Sequence, residues 1–264
     1  MPDFSSEPLV LRQDRDGVAT LTLNRPSQRN AMSIALMTAL QAEFDRIKDD
    51  AKVKVVVIAA NGPGFCGGHD LKEMRANPGR QAYEALFSQC ARLMLSIVQL
   101  PKPVIARVHA VAAAAGCQLV ATCDLAVASQ SARFAVNGVN IGLFCSTPMV
   151  ALSRAIGRKP AMEMLLTGDL IDAETALAYG LVNKVVPDDQ LDAAVAELAG
   201  KIVAKSPYAL SIGKEAFYRQ AELGLAEAYA YASQVMATNM LARDAEAGID
   251  AFIAKRPMPD WQGR

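Results

Sequence analysis

The residues best suited to chemistry in this chain stand beside runs of very small side chains. His69 follows Gly67-Gly68 and precedes Asp70, Gln118 follows Gly116-Cys117, and Cys145 sits in a loop with Gly142, Ser146 and Pro148. The small residues themselves point to backbone chemistry. Pro101 and Pro103 flank Lys102 and bias the chain toward extended geometry. Residues 104–108 are an apolar run that reads as a buried strand, and residues 110–116 are tiny apart from Val111. A strand that passes through tiny residues into a helix brings free N–H groups close to a ligand, at the positive end of the helix dipole. Such an N–H can stabilise an oxyanion developing on a carbonyl. The plainer reading of the same residues is close strand–helix packing.

Each side chain also carries two readings. His69 can polarise a substrate or act as a base if its ring faces a pocket; otherwise only its backbone N–H matters. Cys145 is a possible donor or nucleophile, since a free thiol titrates near about pH 8.5, or else a buried small hydrophobe. Gln118, Asn137 and Asn140 can orient a water or a carboxylate, but none is a strong acid or base. His109 precedes the small-residue run and reads as structural.

The surrounding elements are mostly legible from pattern. Residues 9–12 and 18–23 flank a Gly turn and read as a hairpin. Ser33 can cap a helix reaching about Lys48, and residues 55–58 form a buried strand closed by Asn61-Gly62-Pro63-Gly64. A short helix is expected over 71–75, a long one over 81–99, and a strand over 125–128. Beyond Met149 the pattern is helical over 150–156, 160–167 and 173–179, with a strand over 181–186. Helices over 188–204, 207–221 and 225–243 complete the chain. The last of these, with Tyr229, Tyr231, Met236, Met240 and Leu241, must bury its apolar face on the core or on another subunit.

At 264 residues the chain can bury a sizeable core. Its 27 basic and 27 acidic residues cancel, which gives no footprint for nucleic acid or an anionic membrane. The five cysteines form no C-x-x-C pair and are odd in number, favouring a reducing compartment, and two histidines argue against a His-based zinc site. No apolar run is long enough to span a bilayer. The opening residues MPDFSSEPLV show no basic-then-apolar signal, so a cytoplasmic location is expected.

Five stretches carry a resemblance. They are Leu23-Asn24-Arg25-Pro26 with Asn30-Ala31; Phe65-Cys66-Gly67-Gly68-His69-Asp70-Leu71-Lys72-Glu73-Met74; Lys102-Pro103-Val104-Ile105-Ala106; Gly116-Cys117-Gln118-Leu119 with Cys123-Asp124; and Leu166-Thr167-Gly168 through Gly180-Leu181-Val182 to Val186-Pro187. In this order the chain resembles the crotonase (enoyl-CoA hydratase/isomerase) superfamily over nearly its whole length. The resemblance implies an α/β (α+β) fold, a crotonase/ClpP-like spiral of ββα units over residues 1–200. It also implies a C-terminal helical region, 201–264, that builds a homotrimer or homohexamer. A coenzyme A thioester is the implied substrate, with no permanently bound cofactor. By position, the N–H groups of His69 and Ala115 would grip the thioester oxygen. Coenzyme contacts would fall on Gln28, Arg29, Gly67, Asp70 and Leu71. Phe252 and Lys255 would reach the site from a neighbouring helix or subunit. Arg29 and Lys255 read alternatively as solvated charges, and Phe252 as a core residue.

The resemblance also has gaps. Hydratases of this family pair two glutamates for water and substrate proton. Those positions are Gln118 and Gly138 here, so neither carries an ionisable side chain. The strings Ala-Ala-Gly-Cys-Gln-Leu and Gly-Leu-Phe-Cys-Ser-Thr-Pro resemble the branch called enoyl-CoA hydratase domain-containing proteins. Gly68-His69-Asp70 and Val139-Asn140-Ile141-Gly142 are similar to the methylmalonyl-CoA decarboxylase branch, which has a tyrosine where this chain has Cys145. The expected functions are therefore an acyl-CoA enzyme with doubtful hydratase activity, a decarboxylase or thioesterase, or a non-catalytic acyl-CoA-binding protein.

Overall fold

The computed structural model describes residues 7–264; residues 1–6, part of the stretch read for a targeting signal, lie outside the described residues. The chain opens with an antiparallel hairpin, β1 (Val10–Arg15) and β2 (Val18–Leu23). Asp16 and Gly17 turn it, both with positive φ, the geometry that matches the twist of two paired strands. Because that turn needs only two residues, β1 runs to Arg15, three residues past the expected end.

After α1 (Ile34–Lys48), capped by Ser33, the chain alternates between two sheets. β3 (Val55–Ala60), β5 (Val104–Val108), β7 (Leu125–Ser129) and β10 (Lys184–Val186) extend the hairpin into a six-stranded sheet, ordered β1-β2-β3-β5-β7-β10. β4 (Gly64–Cys66), β6 (Val111–Ala113), β8 (Arg133–Ala135) and β9 (Ile171–Asp172) form a second sheet of four. Each repeated unit thus gives one strand to either sheet before its helix, which is the expected ββα spiral.

Every residue of β3 is buried, because helices cover both faces of the large sheet. Val55 and Val57 pack with Ile105 and Val127 against α8 (Leu191–Val203). Val56 and Ile58 point the other way, into a core shared with α1, α3 (Arg80–Gln99) and α4 (Ala115–Thr122). The short α2 (Leu71–Ala76) lies between β4 and α3 and buries none of its residues. α5 (Pro148–Ala155), α6 (Arg158–Thr167) and α7 (Ala173–Tyr179) follow β8.

The strand expected over 181–186 shortens to three residues: Leu181 and Val182 are buried as core, and Asn183 accepts from the Ala126 N–H through its side chain. The helix expected from 188 begins as a 3-10 turn, with α8 proper starting at Leu191. After α9 (Pro207–Gln220), the single helix expected over 225–243 is in fact α10 (Leu225–Met240) followed by α11 (Arg243–Ile253). α10 buries only Ala228 and leaves Tyr229, Met236 and Met240 exposed, so its apolar face is not covered by the core of its own chain.

Candidate active site

Two backbones meet where β4 and β6 end. A side-chain carbon at Gly116 would lie 2.1 Å from the Cys66 carbonyl oxygen, so only glycine lets the first turn of α4 rest on β4. A carbon at Gly68 would lie 2.9 Å from Ala114 Cβ and 3.5 Å from the Ala115 nitrogen. His69 and Ala115 are therefore brought side by side by neighbours that have no room for larger residues.

Neither of their N–H groups donates to a described residue. His69 bridges Met32 in parallel fashion; Met32 N–H donates to the Gly68 carbonyl at 2.7 Å and Asp70 N–H to the Met32 carbonyl at 3.4 Å. That pattern turns the His69 N–H away from Met32, and it donates to no described residue. Ala115 is the first residue of α4; Ala114 N–H goes to the Ala135 carbonyl at 2.8 Å and Gln118 N–H to the Ala114 carbonyl at 3.0 Å, leaving the Ala115 N–H unused. Ala114 adopts φ 49° and ψ −115°, strained geometry for a residue with a Cβ.

Helix α3 roofs the site. The His69 ring meets Phe87 edge to face, 5.4 Å between centroids, and Gln118 Oε1 accepts from Cys90 Sγ at 3.9 Å. Both ring nitrogens of His69 are buried, without a side-chain hydrogen-bond partner among the described residues. Burial pushes the imidazole below its ordinary pKa, opposed in part by the Met32 backbone, so the ring is neutral at pH 7.

Cys145 is buried and accepts from the Gly138 N–H at 3.3 Å. Burial raises its pKa, with the Gly138 N–H pulling the other way, so the thiol form prevails and nucleophilic attack is disfavoured. A carbon at Gly138 would lie 2.5 Å from the Leu143 carbonyl and 2.9 Å from Cys145 Sγ. Gly138 has no positive φ; packing, not backbone conformation, excludes a side chain there. Asn140 is engaged with the Gly168 carbonyl at 3.2 Å, and His109 with the Gly62 carbonyl at 2.9 Å.

Most of the expected coenzyme residues are at the surface. Gln28, Arg29, Gly67 and Leu71 are exposed, and Gly67 N–H donates to the Arg29 carbonyl at 2.9 Å. Asp70 caps α2 and pairs with Arg25 at 2.8 Å. Burial raises the Asp70 pKa, but Arg25 and the N–H groups of Glu73 and Lys72 together hold it below the ordinary value. Phe252 is 74% exposed, which corrects the core alternative; with Lys255 it stands at the end of α11, away from its own chain's interior.

Sequence reasoning gave no role to Asn30, which is fully buried. Its side chain accepts from Arg25 N–H at 2.8 Å and donates to the carbonyls of Asn61 at 2.8 Å and Gly64 at 2.9 Å, pinning its loop to β4. The signal was present: an asparagine in a Pro/Ser/Gln/Arg turn, where positive φ (52° here) suits its side chain. Two surface depressions, of about 410 and 320 Å³, lie between α1 and α3 and around Glu163 and Tyr179. Neither includes His69 or Ala115; the N–H pair is a contact between two backbones and does not require an enclosed cavity.

Comparison with known proteins gives a consistent result. The family described as Enoyl-CoA hydratase/isomerase matches residues 13–264. The rat protein named enoyl-CoA hydratase domain-containing protein 3, mitochondrial, is 45% identical over 97% of this chain and 85% of its own. The Escherichia coli protein named 2,3-dehydroadipyl-CoA hydratase is 35% identical over 98% of this chain and 100% of its own. A crystal structure of an enoyl-CoA hydratase from Mycobacterium smegmatis superposes with a TM-score of 0.94 at 55% identity, covering 97% of this chain and 99% of that one. The resemblance read from the five motifs is borne out, including the hydratase-domain-containing branch. The expected cytoplasmic location is contradicted: the rat relative and its frog, mouse and human counterparts are named as mitochondrial.

Proposed function

The chain belongs to the enoyl-CoA hydratase/isomerase family, and on that premise we propose that it binds an acyl-CoA thioester and stabilises an oxyanion formed from it. The observation that carries this reading is the pair of unused N–H groups, His69 and Ala115, held side by side where β4 and β6 end. Preorganised donors of this kind hold charge as it develops, and losing one typically costs about 2.7–4 kcal/mol of transition-state stabilisation. The acyl-CoA enters with its coenzyme along Gln28, Arg29, Gly67, Asp70 and Leu71. The protein serves acyl-CoA or fatty-acid metabolism as a lyase or isomerase and needs no resident cofactor. It assembles as a trimer or hexamer, which covers the apolar face of α10 and lets Phe252 and Lys255 reach a site from a neighbouring subunit.

A second reading, a non-catalytic acyl-CoA-binding protein, is favoured by one observation. The position of the second hydratase glutamate, Gly138, is closed by the Leu143 carbonyl and Cys145. Calorimetry with crotonyl-CoA and butyryl-CoA, followed by mass spectrometry for added water, lost carbon dioxide or free CoA, separates the two. Binding with turnover supports the enzyme; binding without it supports the second reading. A complex with the thioester lodged away from His69 and Ala115 removes the first.

A further inference from the structure

The two candidate donors are aimed by different means. The Ala115 N–H takes its direction from α4, whose first residue it is. The His69 N–H belongs to the peptide unit that also carries the Gly68 carbonyl. That peptide is trans and planar, so carbonyl and N–H point in opposite directions. Whatever holds the Gly68 carbonyl therefore aims the His69 N–H. Gly68 cannot hold it alone: its φ is 93°, and a glycine beside Gly67 leaves the peptide free to turn. The holder is the Met32 N–H, which donates to the Gly68 carbonyl at 2.7 Å.

Met32 ends a loop, residues 25–32, that must bring this N–H to one place. Arg29 and Asn30 both have positive φ, 50° and 52°, a conformation uncommon for residues with a Cβ and easiest for asparagine. Asn30 is fully buried, and Ala31 alone separates it from Met32. Its side-chain oxygen accepts from the Arg25 N–H at 2.8 Å across the loop. Its amide spends both protons on the other side, on the carbonyls of Asn61 at 2.8 Å and Gly64 at 2.9 Å. The loop is tied again further along, by the Gly67 N–H on the Arg29 carbonyl at 2.9 Å and by Arg25 on Asp70 at 2.8 Å.

We propose that Asn30 is a positioning residue for the thioester, on the reading that the thioester oxygen sits between the His69 and Ala115 N–H groups. Asn30 fixes the loop, the loop fixes the Gly68–His69 peptide, and that peptide sets how strongly a bound carbonyl is polarised. Being fully buried, Asn30 touches no ligand itself. Without its side chain the Ala115 donor keeps its direction and the His69 donor loses it. A general loss of stability does not mimic this, because unfolded chains bind no ligand and a ratio of two affinities cancels them.

The test compares butyryl-CoA, carbon-13 labelled at the carbonyl, with S-butyl-CoA, the thioether that lacks the carbonyl oxygen. Both are measured on the full chain and on Asn30→Gly, in which glycine keeps the positive φ without strain and removes only the side-chain bonds. In the parent, the carbonyl stretch of bound butyryl-CoA moves below that of the free ligand, and the thioester binds about fivefold tighter than the thioether. In Asn30→Gly the frequency shift falls by about half, one of two donors being lost, and the affinity ratio falls about threefold. Lys214→Met, which breaks the buried pair with Asp124 on the far α9, is the control for lowered stability and keeps both parent values. An undiminished shift and ratio in Asn30→Gly overturns the proposal, and so does an equal fall in Lys214→Met; the thioester site stands in either case. A parent that binds no butyryl-CoA, or binds it without a carbonyl shift, removes the site itself and the proposal with it. Should Asn30→Gly not fold, Asn30→Asp provides the second variant. It keeps the volume and the acceptor for Arg25 but sets a carboxylate against two carbonyls, and it carries the same expected losses.

Discussion

Lys214 on α9 ends 2.7 Å from Asp124, the residue that opens β7, and its Nζ also donates to the carbonyls of Ile97 at 2.8 Å and Lys102 at 3.0 Å. Tyr218, one turn further along α9, donates to the other Asp124 oxygen at 2.8 Å, and Val104 N–H also reaches the carboxylate, at 2.7 Å. These contacts fasten α9 to the strand side of the core. Side-chain exposure is 7% for Lys214 and 15% for Asp124, so removing one charge strands the other. Lys214→Met is expected to destabilise the fold by about 3–5 kcal/mol, read from the denaturant midpoint. A loss under about 1 kcal/mol would show that α9 is held by other contacts.

Ala114 is the residue whose strained backbone aims the Ala115 N–H. Glycine reaches that conformation freely. Relief of about 1–3 kcal/mol of strain outweighs the extra chain entropy of glycine, about 0.5–1 kcal/mol. Ala114→Gly should therefore raise Tm by a few degrees, about 2–4 °C per kcal/mol, in a thermal scan. Ala114→Val should lower it. A fall with glycine would mean that the Ala114 methyl group contributes more by packing than its backbone conformation costs.

The missing glutamates are not equally replaceable. Gln118 already fills a side-chain position facing α3, so Gln118→Glu adds a titratable group with little change in volume. Gly138→Glu must displace the Leu143 carbonyl, 2.5 Å from where its Cβ would lie. Overpacking of this kind costs about 1–3 kcal/mol or more. The parent is expected to hydrate crotonyl-CoA poorly, since each positioned acid–base group contributes about 10²–10⁴-fold. Gln118→Glu alone should give more hydration than the double variant, assayed by loss of enoyl absorbance. The reverse order would show that residues 138–145 move aside.

Asp70 gives the fold a dependence on acid. Its folded pKa lies below the ordinary 3.8, so its stabilisation is complete above 3.8 and is lost as pH falls through the folded value. Melting temperatures taken downward from pH 5 should fall more steeply for the parent than for Asp70→Asn. Parallel curves would show that the Arg25 pair contributes nothing measurable.

Much of this arrangement could be read in the residues because local rules and global packing agree. The valine/isoleucine run that begins β3 is buried on both faces, and the hairpin's Gly turn was visible, though not that Asp16-Gly17 alone would make it. The break between α10 and α11 could not be read. It falls at Leu241-Ala242, with no glycine, proline or side-chain cap to announce it. The closure of Gly138 depends on the Leu143 carbonyl, five residues later and just past a 3-10 turn, and backbone oxygens leave no trace in sequence. The His69 ring was visible as a candidate, but its edge contact with Phe87 depends on α3, where Phe87 carried no sign beyond an apolar stripe.

The strand order of the large sheet also has a temporal meaning. β3 joins β2, β5 joins β3, β7 joins β5 and β10 joins β7, so each new strand docks on the edge left by its predecessor. A chain leaving the ribosome can add them in order of synthesis, without undoing an earlier pairing. Between Ser129 and Lys184, however, β7 has no following partner. During that interval the nascent sheet presents a bare, apolar backbone edge, open to any foreign strand. The window in which a chaperone is most needed is thus set by the distance along the chain between two strands that end up side by side.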